Sequence, residues 1–182
     1  MGLPIPLTAI QILWLNLVTD GIGDMALAAE RGHGDALKEK PLKKDERILS
    51  TKVLPFILIN VLVMCALSLA AYFYYLPEGI DRARSAVFIV MTFTQLFNMY
   101  NMRSLKKSIF EIGLFTNKYV TITLLSSALI TLLIIEVPAF SSIFNFHKLP
   151  YAEFGILASL SILVLVAGEI YKWLVKSSSK VD

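Results

Sequence analysis

Five long apolar runs constrain the fold of this 182-residue chain more than any other feature of its sequence. An α-helix of about 20 residues crosses a hydrocarbon layer about 30 Å thick, so each run is close to the length of one membrane span. None of the runs alternates apolar and polar residues as a membrane β-strand does. We therefore predict an all-α polytopic membrane protein with five transmembrane helices, at approximately residues 7–29, 53–76, 85–102, 120–137 and 154–174.

The composition excludes several other classes of protein. Hydrophobic residues make up 56% of the chain and charged residues only 17%, which excludes an intrinsically disordered chain. Cys65 is the single cysteine, so no intramolecular disulfide can form, and its position in an apolar run predicts a small buried side chain. The net charge of +3 is too small to indicate nucleic acid as a partner. The partner that this composition does predict is the lipid bilayer.

The distribution of basic residues predicts which helix ends face the cytosol. Lysine and arginine gather in short cytoplasmic loops. Residues 30–52 contain seven of them, residues 103–119 four and residues 172–182 three, whereas only three lie elsewhere. Residues 30–52 and 103–119 are thus predicted cytoplasmic loops, the C-terminus is predicted cytoplasmic, and five spans place the N-terminus outside. Because no cationic leader precedes the first span, we expect the chain to be a C-terminal membrane fragment of a longer protein.

Oxygen-bearing side chains interrupt the first span. Asn16, Asp20 and Asp24 are spaced by four residues and Thr19 follows Asn16 by three, so an α-helix places them on one face. A carboxylate at membrane depth costs at least about 2.5 kcal/mol and usually faces the protein interior or an aqueous path. Such oxygens are the ligands that calcium prefers. The alternative is that Asn16 and Thr19 bond a neighbouring helix and that both carboxylates lie at the cytoplasmic surface.

Two further features add to this candidate ion site. Gly21 and Gly23 loosen the helix, and we expect an unwound turn there that presents backbone carbonyls to an ion. In the third span, Gln95 and Asn98 are three residues apart and share a face, which makes them candidates for ligands from across the bundle. For neutral amides, however, the chemistry alone favours hydrogen bonding between helices.

The remaining ionisable residues indicate no second site. Glu136 and Glu169 lie near predicted span ends, where we expect them at the membrane interface. His33 and His147 fall in predicted loops and have no partner at metal-ligand spacing, so we expect them to be solvated. No Walker-type glycine loop, nucleophile elbow or zinc-ligand array occurs, so the sequence predicts neither catalytic residues nor a bound cofactor.

Three segments carry a family resemblance. Residues 6–27, PLTAIQILWLNLVTDGIGDMAL, resemble the sixth transmembrane helix of P-type cation-transporting ATPases, most closely the calcium-pump branch, and the core LWLNLVTDG is long and specific. Residues 38–50, KEKPLKKDERILS, resemble the cytoplasmic loop after that helix. Residues 94–101, TQLFNMYN, resemble the eighth helix, and Asn98 and Asn101 match its asparagine pair. The resemblance implies that the five spans are helices six to ten of such a pump.

The same resemblance implies roles for individual residues. Asn16, Thr19 and Asp20 fall where calcium pumps ligate the transported ion, and Asp20 falls where a carboxylate bridges both ions in two-site pumps. Gln95 falls where the two-site pumps of the endoplasmic reticulum carry a glutamate. Because this chain has a neutral amide there, the resemblance favours one transported calcium rather than two.

One departure from the family pattern leaves the ion open. Gly23 and Asp24 stand where calcium pumps usually have proline and alanine. The added carboxylate makes Asp24 a further candidate ligand, alongside Asn98. Calcium is the expected transported ion, and sodium, potassium, manganese or a countertransported proton are the alternatives.

The implied function is the membrane part of an ATP-driven pump that exports a cation from the cytosol across the plasma membrane. The phosphorylated aspartate in DKTG, the TGES loop and the nucleotide domain of such pumps do not occur in these residues. ATP and magnesium would therefore bind in a missing part of the parent, and the fragment alone should not hydrolyse ATP. Its expected partners are lipid, the upstream transmembrane helices and the cytoplasmic domains of the parent pump. A self-contained five-span channel or carrier subunit, and a membrane scaffold that transports nothing, are the alternatives.

Overall fold

The computed structural model describes residues 2–32 and 53–178, which form helices joined by short connections and contain no β-strand. The predicted all-α fold is therefore confirmed for this part of the chain. His33, residues 38–50 and most of the predicted loop 30–52 lie outside the described residues. The helices are α1 (Ala9–Trp14), a π-helical segment (Leu15–Gly21), α2 (Ile22–Ala28), α3 (Leu54–Tyr75), a 3-10 turn (Leu76–Glu78), α4 (Ile80–Met102), α5 (Ile109–Ile112), α6 (Lys118–Glu136), α7 (Pro138–Phe144), α8 (Tyr151–Leu160) and α9 (Leu163–Ser178).

Three helical stretches of the described residues are long and apolar enough to cross a membrane. They are Leu54–Glu78, Lys118–Glu136 and Tyr151–Ser177, and they correspond to the second, fourth and fifth predicted spans. The first predicted span forms a continuous helical segment, residues 9–28, made of α1, the π segment and α2 and called the first helix below. The number of five spans and the orientation of the two termini stay predictions.

The third predicted span, α4, lies at the centre of the helical bundle. Fourteen of its 23 residues are buried, and it packs against α3, α6, α8, α9 and the π segment. It begins at Ile80, five residues before the predicted start at Ser85. Its first turns carry Asp81, Arg82 and Arg84, which makes α4 less apolar than the three stretches above. A helix covered by protein does not need a surface compatible with lipid.

α6 ends one residue before the predicted end of the fourth span, whereas an interruption of the fifth span was not predicted. α6 ends at Glu136 because Pro138 follows, and Val137 adopts the extended backbone (φ −81°, ψ 117°) that a residue before proline prefers. The fifth predicted span divides into α8 and α9 at Ser161, whose hydroxyl donates a hydrogen bond to the Leu157 carbonyl at 2.8 Å. Such a bond back to the preceding turn bends a helix.

The prediction that Cys65 is buried is wrong. Cys65 is exposed on α3, as are Leu58, Leu62 and Leu69 on the same helix. In a membrane protein the outward face of a helix meets lipid instead of water, so apolar side chains there need no protein cover. The apolar run thus predicts that these residues leave water, but it does not distinguish contact with lipid from contact with another helix.

The beginning of the first helix is anchored to the short helix α7. Thr8 and Gln11 form a reciprocal capping box at the start of α1. The fully buried Gln11 amide also donates a hydrogen bond of 2.8 Å to the Phe144 carbonyl, and the Trp14 and Phe144 rings meet edge to face with centroids 5.4 Å apart. These contacts hold the first half of the helix in one position.

Candidate ion-binding site

The π segment Leu15–Gly21 carries three of the four main candidate ligands, Asn16, Thr19 and Asp20. In a π-helix the backbone bonds join residues five apart, and single π turns within α-helices are frequent at functional sites. The predicted unwound turn at the glycines is wrong, because Gly21 keeps helical backbone angles (φ −60°, ψ −48°) and α2 begins directly after it. The helix is widened at the candidate site instead of being broken.

The wider turn changes which side chains share a face. The spacing of four residues in the sequence predicts one line of ligands only for a regular α-helix. In the structure Thr19 is buried with 4% exposure, Asp20 is half-buried, and Asn16 and Asp24 are exposed. The four oxygen donors therefore spread from the interior of the described bundle to its surface.

Thr19 and Gln95 are in direct contact. The Thr19 Oγ1 lies 2.6 Å from the Gln95 Oε1, so the hydroxyl donates a hydrogen bond from the π segment to α4. The same hydroxyl also lies within hydrogen-bond distance of the Leu15 carbonyl, one turn earlier. The structure thus brings together two predicted ligands that are 76 residues apart in the sequence.

The carboxylate of Asp20 is not neutralised by a fixed arginine in the described part of the chain. The ion pairs of Arg82, Arg84 and Arg103 are with other carboxylates. No group of three or more His, Cys, Asp or Glu side chains arranged as in a metal site occurs among the described residues. The candidate site consequently combines one half-buried charge, Asp20, with neutral oxygen atoms.

The structure places Asn98 in a different environment from Gln95. Its Oδ1 lies 3.4 Å from the Asn101 Nδ2, one turn further along α4. Asn101 is fully buried, and its amide also donates to the Asn60 Oδ1 of α3 at 3.0 Å and to the Val164 carbonyl of α9 at 2.9 Å. We call Asn60, Asn98 and Asn101 the amide cluster. The cluster joins α3 to α4, and the bond of Asn101 to the Val164 carbonyl connects it to α9.

The sequence analysis did not identify two residues that contact Asn101, namely Asn60 and Gly168. Asn60 was not singled out, although a lone amide in an apolar span is a signal for a bond between helices. Gly168 was missed as well: a Cβ at that position would lie 2.4 Å from the Asn101 side chain. The glycine lets α4 and α9 approach closely, which no local sequence pattern predicts.

The predicted interfacial glutamates lie in contacts away from Asp20. Glu136 pairs with Lys148 and accepts a hydrogen bond from the Tyr151 hydroxyl at 3.2 Å. Glu169 pairs with the buried Lys172 at 2.9 Å and accepts a bond from the backbone N–H of Ile109. Neither glutamate contacts a candidate ligand. His147, expected to be solvated, is exposed, which agrees with the prediction.

A cavity of about 830 Å³ between α5 and α9 contains none of the candidate ligands. Its lining is mixed, with the side chains of Phe110, Glu111, Val166, Trp173 and Lys176 among those that form it. The candidate ion site is therefore distinct from this cavity and consists of the contact between the π segment and α4.

Comparison with known proteins gives the family. The sequence matches the family described as "Cation transporting ATPase, C-terminus" over residues 4–174. Calcium-transporting ATPase 1 of Bacillus cereus is 37% identical over 94% of this chain and 21% of its own length. Calcium-transporting ATPase type 2C member 1 of Mus musculus is 30% identical over the whole chain and 20% of its own length, and the calcium-transporting ATPase of Bacillus subtilis is 32% identical over 93% of this chain and 20% of its own.

The chain thus spans about a fifth of the length of these relatives. The matched part is nearly the whole chain, and the all-helical structure with apolar helices agrees with a membrane region. This chain belongs to the P-type cation-transporting ATPases, corresponds to their C-terminal membrane region and is similar to their calcium-transporting branch.

Proposed function

We propose that this chain is the membrane part of an ATP-driven pump that exports calcium from the cytosol, and that Asn16, Thr19, Asp20 and Gln95 ligate the transported ion. The relatives support calcium, since each of them is named as a calcium-transporting ATPase. The observation that carries the proposal is the contact between Thr19 and Gln95, because it brings a second helix to the segment that contains the half-buried carboxylate of Asp20.

The chemistry of the four residues suits calcium. Calcium takes six to eight oxygen ligands at about 2.3–2.6 Å, and it accepts carboxylate, amide and hydroxyl oxygens together. Asp20 supplies the negative charge, and Asn16, Thr19 and Gln95 supply neutral oxygens. Asp24 and Asn98 are further candidates, and another part of the pump supplies the ligands that remain.

The bond between Thr19 and Gln95 holds two of the candidate ligands side by side. The Thr19 hydroxyl donates to the Gln95 oxygen, so the buried hydroxyl and the half-buried amide oxygen each have a partner. When calcium enters, both oxygens turn toward it and the hydroxyl proton turns away. At calcium–oxygen distances of about 2.3–2.6 Å, neighbouring ligands lie about 3 Å apart, so the two oxygens, now 2.6 Å apart, need to separate only slightly.

The rest of the transport cycle belongs to the parent pump. ATP and magnesium bind in a cytoplasmic part outside this chain, where phosphorylation drives the helix movement that alternates access to the ion. The chain itself contributes five spans, with the N-terminus outside and the C-terminus in the cytosol, in the plasma membrane. We further propose that residues 30–52, most of which lie outside the described residues, rest against the cytoplasmic domain and couple phosphorylation to that movement.

The test is ion-stimulated phosphorylation of the full-length protein by ATP, with calcium, manganese, sodium and potassium compared at matched ionic strength. We expect calcium to give half-maximal stimulation at the lowest concentration. Stimulation by sodium or potassium alone would assign another ion. A full-length protein that conducts ions without ATP, or that shows no ion-stimulated phosphorylation, would contradict the pump.

A substitution at Gln95 tests the ligand from α4. In Gln95→Leu the side chain keeps a similar volume but loses its oxygen, and we expect about tenfold weaker calcium stimulation, or about 1.4 kcal/mol of binding free energy. Gln95→Glu should restore or strengthen binding, because it keeps the oxygen and adds charge. The measurement is the half-maximal calcium concentration for phosphorylation.

The matched control for Gln95 is Thr94→Val. Thr94 is buried on the same helix, and its hydroxyl bonds only the Met91 carbonyl of α4 among the described residues. This change removes a buried polar group without touching the site, so the calcium dependence should stay unchanged. Equal shifts in Gln95→Leu and Thr94→Val would show that a general effect on α4, and not a lost ligand, weakens calcium stimulation.

A further inference from the structure

We propose that Arg103 and Glu30 are positioning residues for the ion site. Their buried ion pair fixes the end of the first helix on α4 and thereby sets the position of Asp20 relative to Gln95. This inference rests on the proposed function, because its effect is measured as ion affinity. We call Arg103, Glu30, Thr116 and Asn117 the Arg103 hub.

Every N–H donor of the Arg103 guanidinium has an acceptor. The Nε and one Nη2 hydrogen bind the two oxygens of Glu30 at 2.8 and 2.9 Å. The Nη1 donates to the Gly113 and Leu114 carbonyls at 2.9 and 3.2 Å, and the Nη2 also donates to the Thr116 hydroxyl at 2.6 Å. The side chain of Arg103 is 0% exposed and that of Glu30 is 12% exposed. This two-point pairing fixes both distance and orientation.

Asn117 brings a third helix end to the same point. Its Nδ2 donates to Glu30 at 2.7 Å and to the Ala26 carbonyl, at the end of α2, at 3.2 Å. Its Oδ1 caps α6 by accepting bonds from the backbone N–H groups of Tyr119 and Val120. The ends of α2 and α4 and the start of α6 therefore meet in one hydrogen-bonded group.

The chemistry of the Arg103 hub favours positioning over simple stabilisation. Removing an arginine and a glutamate from water carries a desolvation cost that apolar side chains of similar size do not incur. Apolar contacts, on the other hand, tolerate sliding and rotation of one helix along another. Directional bonds to Glu30, two carbonyls and a hydroxyl are satisfied together at only one relative position of the three helix ends.

This position is transmitted to the ion site through α2. The seven residues of α2 form an uninterrupted helix about 10 Å long, directly between the Arg103 hub and the π segment. At the other end, Gln11 anchors α1 to the Phe144 carbonyl. Between these two anchors, the bond from Thr19 to Gln95 joins the π segment to α4. A displaced hub consequently moves Asp20 relative to Gln95.

The chain offers a matched control at the opposite end of α4. Arg82 also makes ion pairs: its Nη2 lies 2.7 and 2.8 Å from the two Glu153 oxygens, and its Nη1 pairs with Glu78 at 2.7 Å. This group joins α4 to α8, and within the described part of the chain its bonds do not reach the first helix. Loss of either arginine breaks ion pairs of α4, but of the two only Arg103 is bonded to Glu30, directly after the ion-site helix.

The experiment compares Arg103→Gln, Arg103→Lys, Glu30→Gln and Arg82→Gln in the full-length protein. We measure the half-maximal calcium concentration for phosphorylation by ATP, which does not depend on the amount of active pump. Arg103→Gln and Glu30→Gln should raise it about fivefold or more, within the range of typical coupling between sites. Arg103→Lys should raise the half-maximal calcium concentration as well, since lysine cannot form the two-point pair with Glu30. Arg82→Gln should lower thermal stability and leave the calcium dependence within twofold of the unaltered protein.

The double variant Arg103→Gln with Glu30→Gln shows whether the two residues act as one unit. The half-maximal calcium concentration should rise no further than in Arg103→Gln alone, because the loss of one partner already abolishes the pair. If Arg103→Gln does not accumulate, Glu30→Gln decides by the same measurement. Unshifted calcium dependence in the hub variants, or an equal shift in Arg82→Gln, would overturn this inference alone. Absence of ion-stimulated phosphorylation in the unaltered protein would overturn the proposed function and this inference together.

Discussion

Asp20→Asn in the full-length protein is expected to abolish calcium-dependent phosphorylation at concentrations that saturate the unaltered pump. The substitution keeps the size of the side chain and one oxygen, but it removes the single half-buried charge of the candidate site. The charge of the ligand set changes calcium affinity over several orders of magnitude in proteins, so we expect a loss of at least about 100-fold. The measurement is phosphorylation by ATP as a function of calcium concentration.

Two further carboxylates serve as comparisons for Asp20. Asp81 lies at the start of α4, is exposed, and makes a peripheral contact of 3.4 Å with Arg84, so Asp81→Asn should leave the calcium dependence unchanged. Asp24 is exposed one turn beyond Asp20, and Asp24→Asn should have a smaller effect than Asp20→Asn. Normal calcium affinity in Asp20→Asn would remove Asp20 from the ligand set and with it the main support for the proposed ion site.

Gly168→Ala is expected to destabilise the bundle strongly for a change of one methyl group. The new Cβ would lie 2.4–2.5 Å from three atoms of the Asn101 amide, well inside van der Waals contact. The amide cannot turn away without breaking its bonds to Asn60 and to the Val164 carbonyl. Overpacking and a broken buried bond together cost about 2–4 kcal/mol, which should lower the melting temperature of the detergent-solubilised protein by several degrees.

The control for this prediction is Gly155→Ala in α8. A Cβ at Gly155 meets nothing within 4 Å, and alanine is the better helix former, so this change should be neutral or slightly stabilising. Combining Gly168→Ala with Asn101→Ala should cost less than the sum of the two single changes, since the smaller side chain relieves the overlap. A melting temperature unchanged by Gly168→Ala would contradict the close approach of α4 and α9.

The helical class and the oxygen-rich segment were predictable because each depends on neighbours in the sequence. The apolar runs are long enough for membrane helices, and α3 and α6 lie within a few residues of their predicted bounds. Asn16, Thr19 and Asp20 stood out because polar groups are costly in an apolar helix. The family assignment uses the same local segment, LWLNLVTDG, and the comparisons confirm it.

Contacts between distant segments were not predictable from the same patterns. Gln95 was selected from its residue type, but its bond to Thr19 depends on how α4 crosses the first helix. Arg103 was only one of several basic residues in a predicted loop, yet its side chain is fully buried against Glu30. Hydropathy cannot reveal such partners, because a charge in a loop and a charge in a buried pair look identical in a sequence.

The amino-acid sequence by itself determined that the chain forms apolar helices, which oxygen-bearing residues are candidates to ligate a cation, and the family to which the chain belongs. Only the tertiary structure decided that the first helix widens into a π segment, that α4 lies at the centre, and that Gly168 and Arg103 hold helices together. The physical reason is that transfer out of water is a property of each residue, whereas hydrogen bonds and close packing are properties of pairs that meet only in the folded chain.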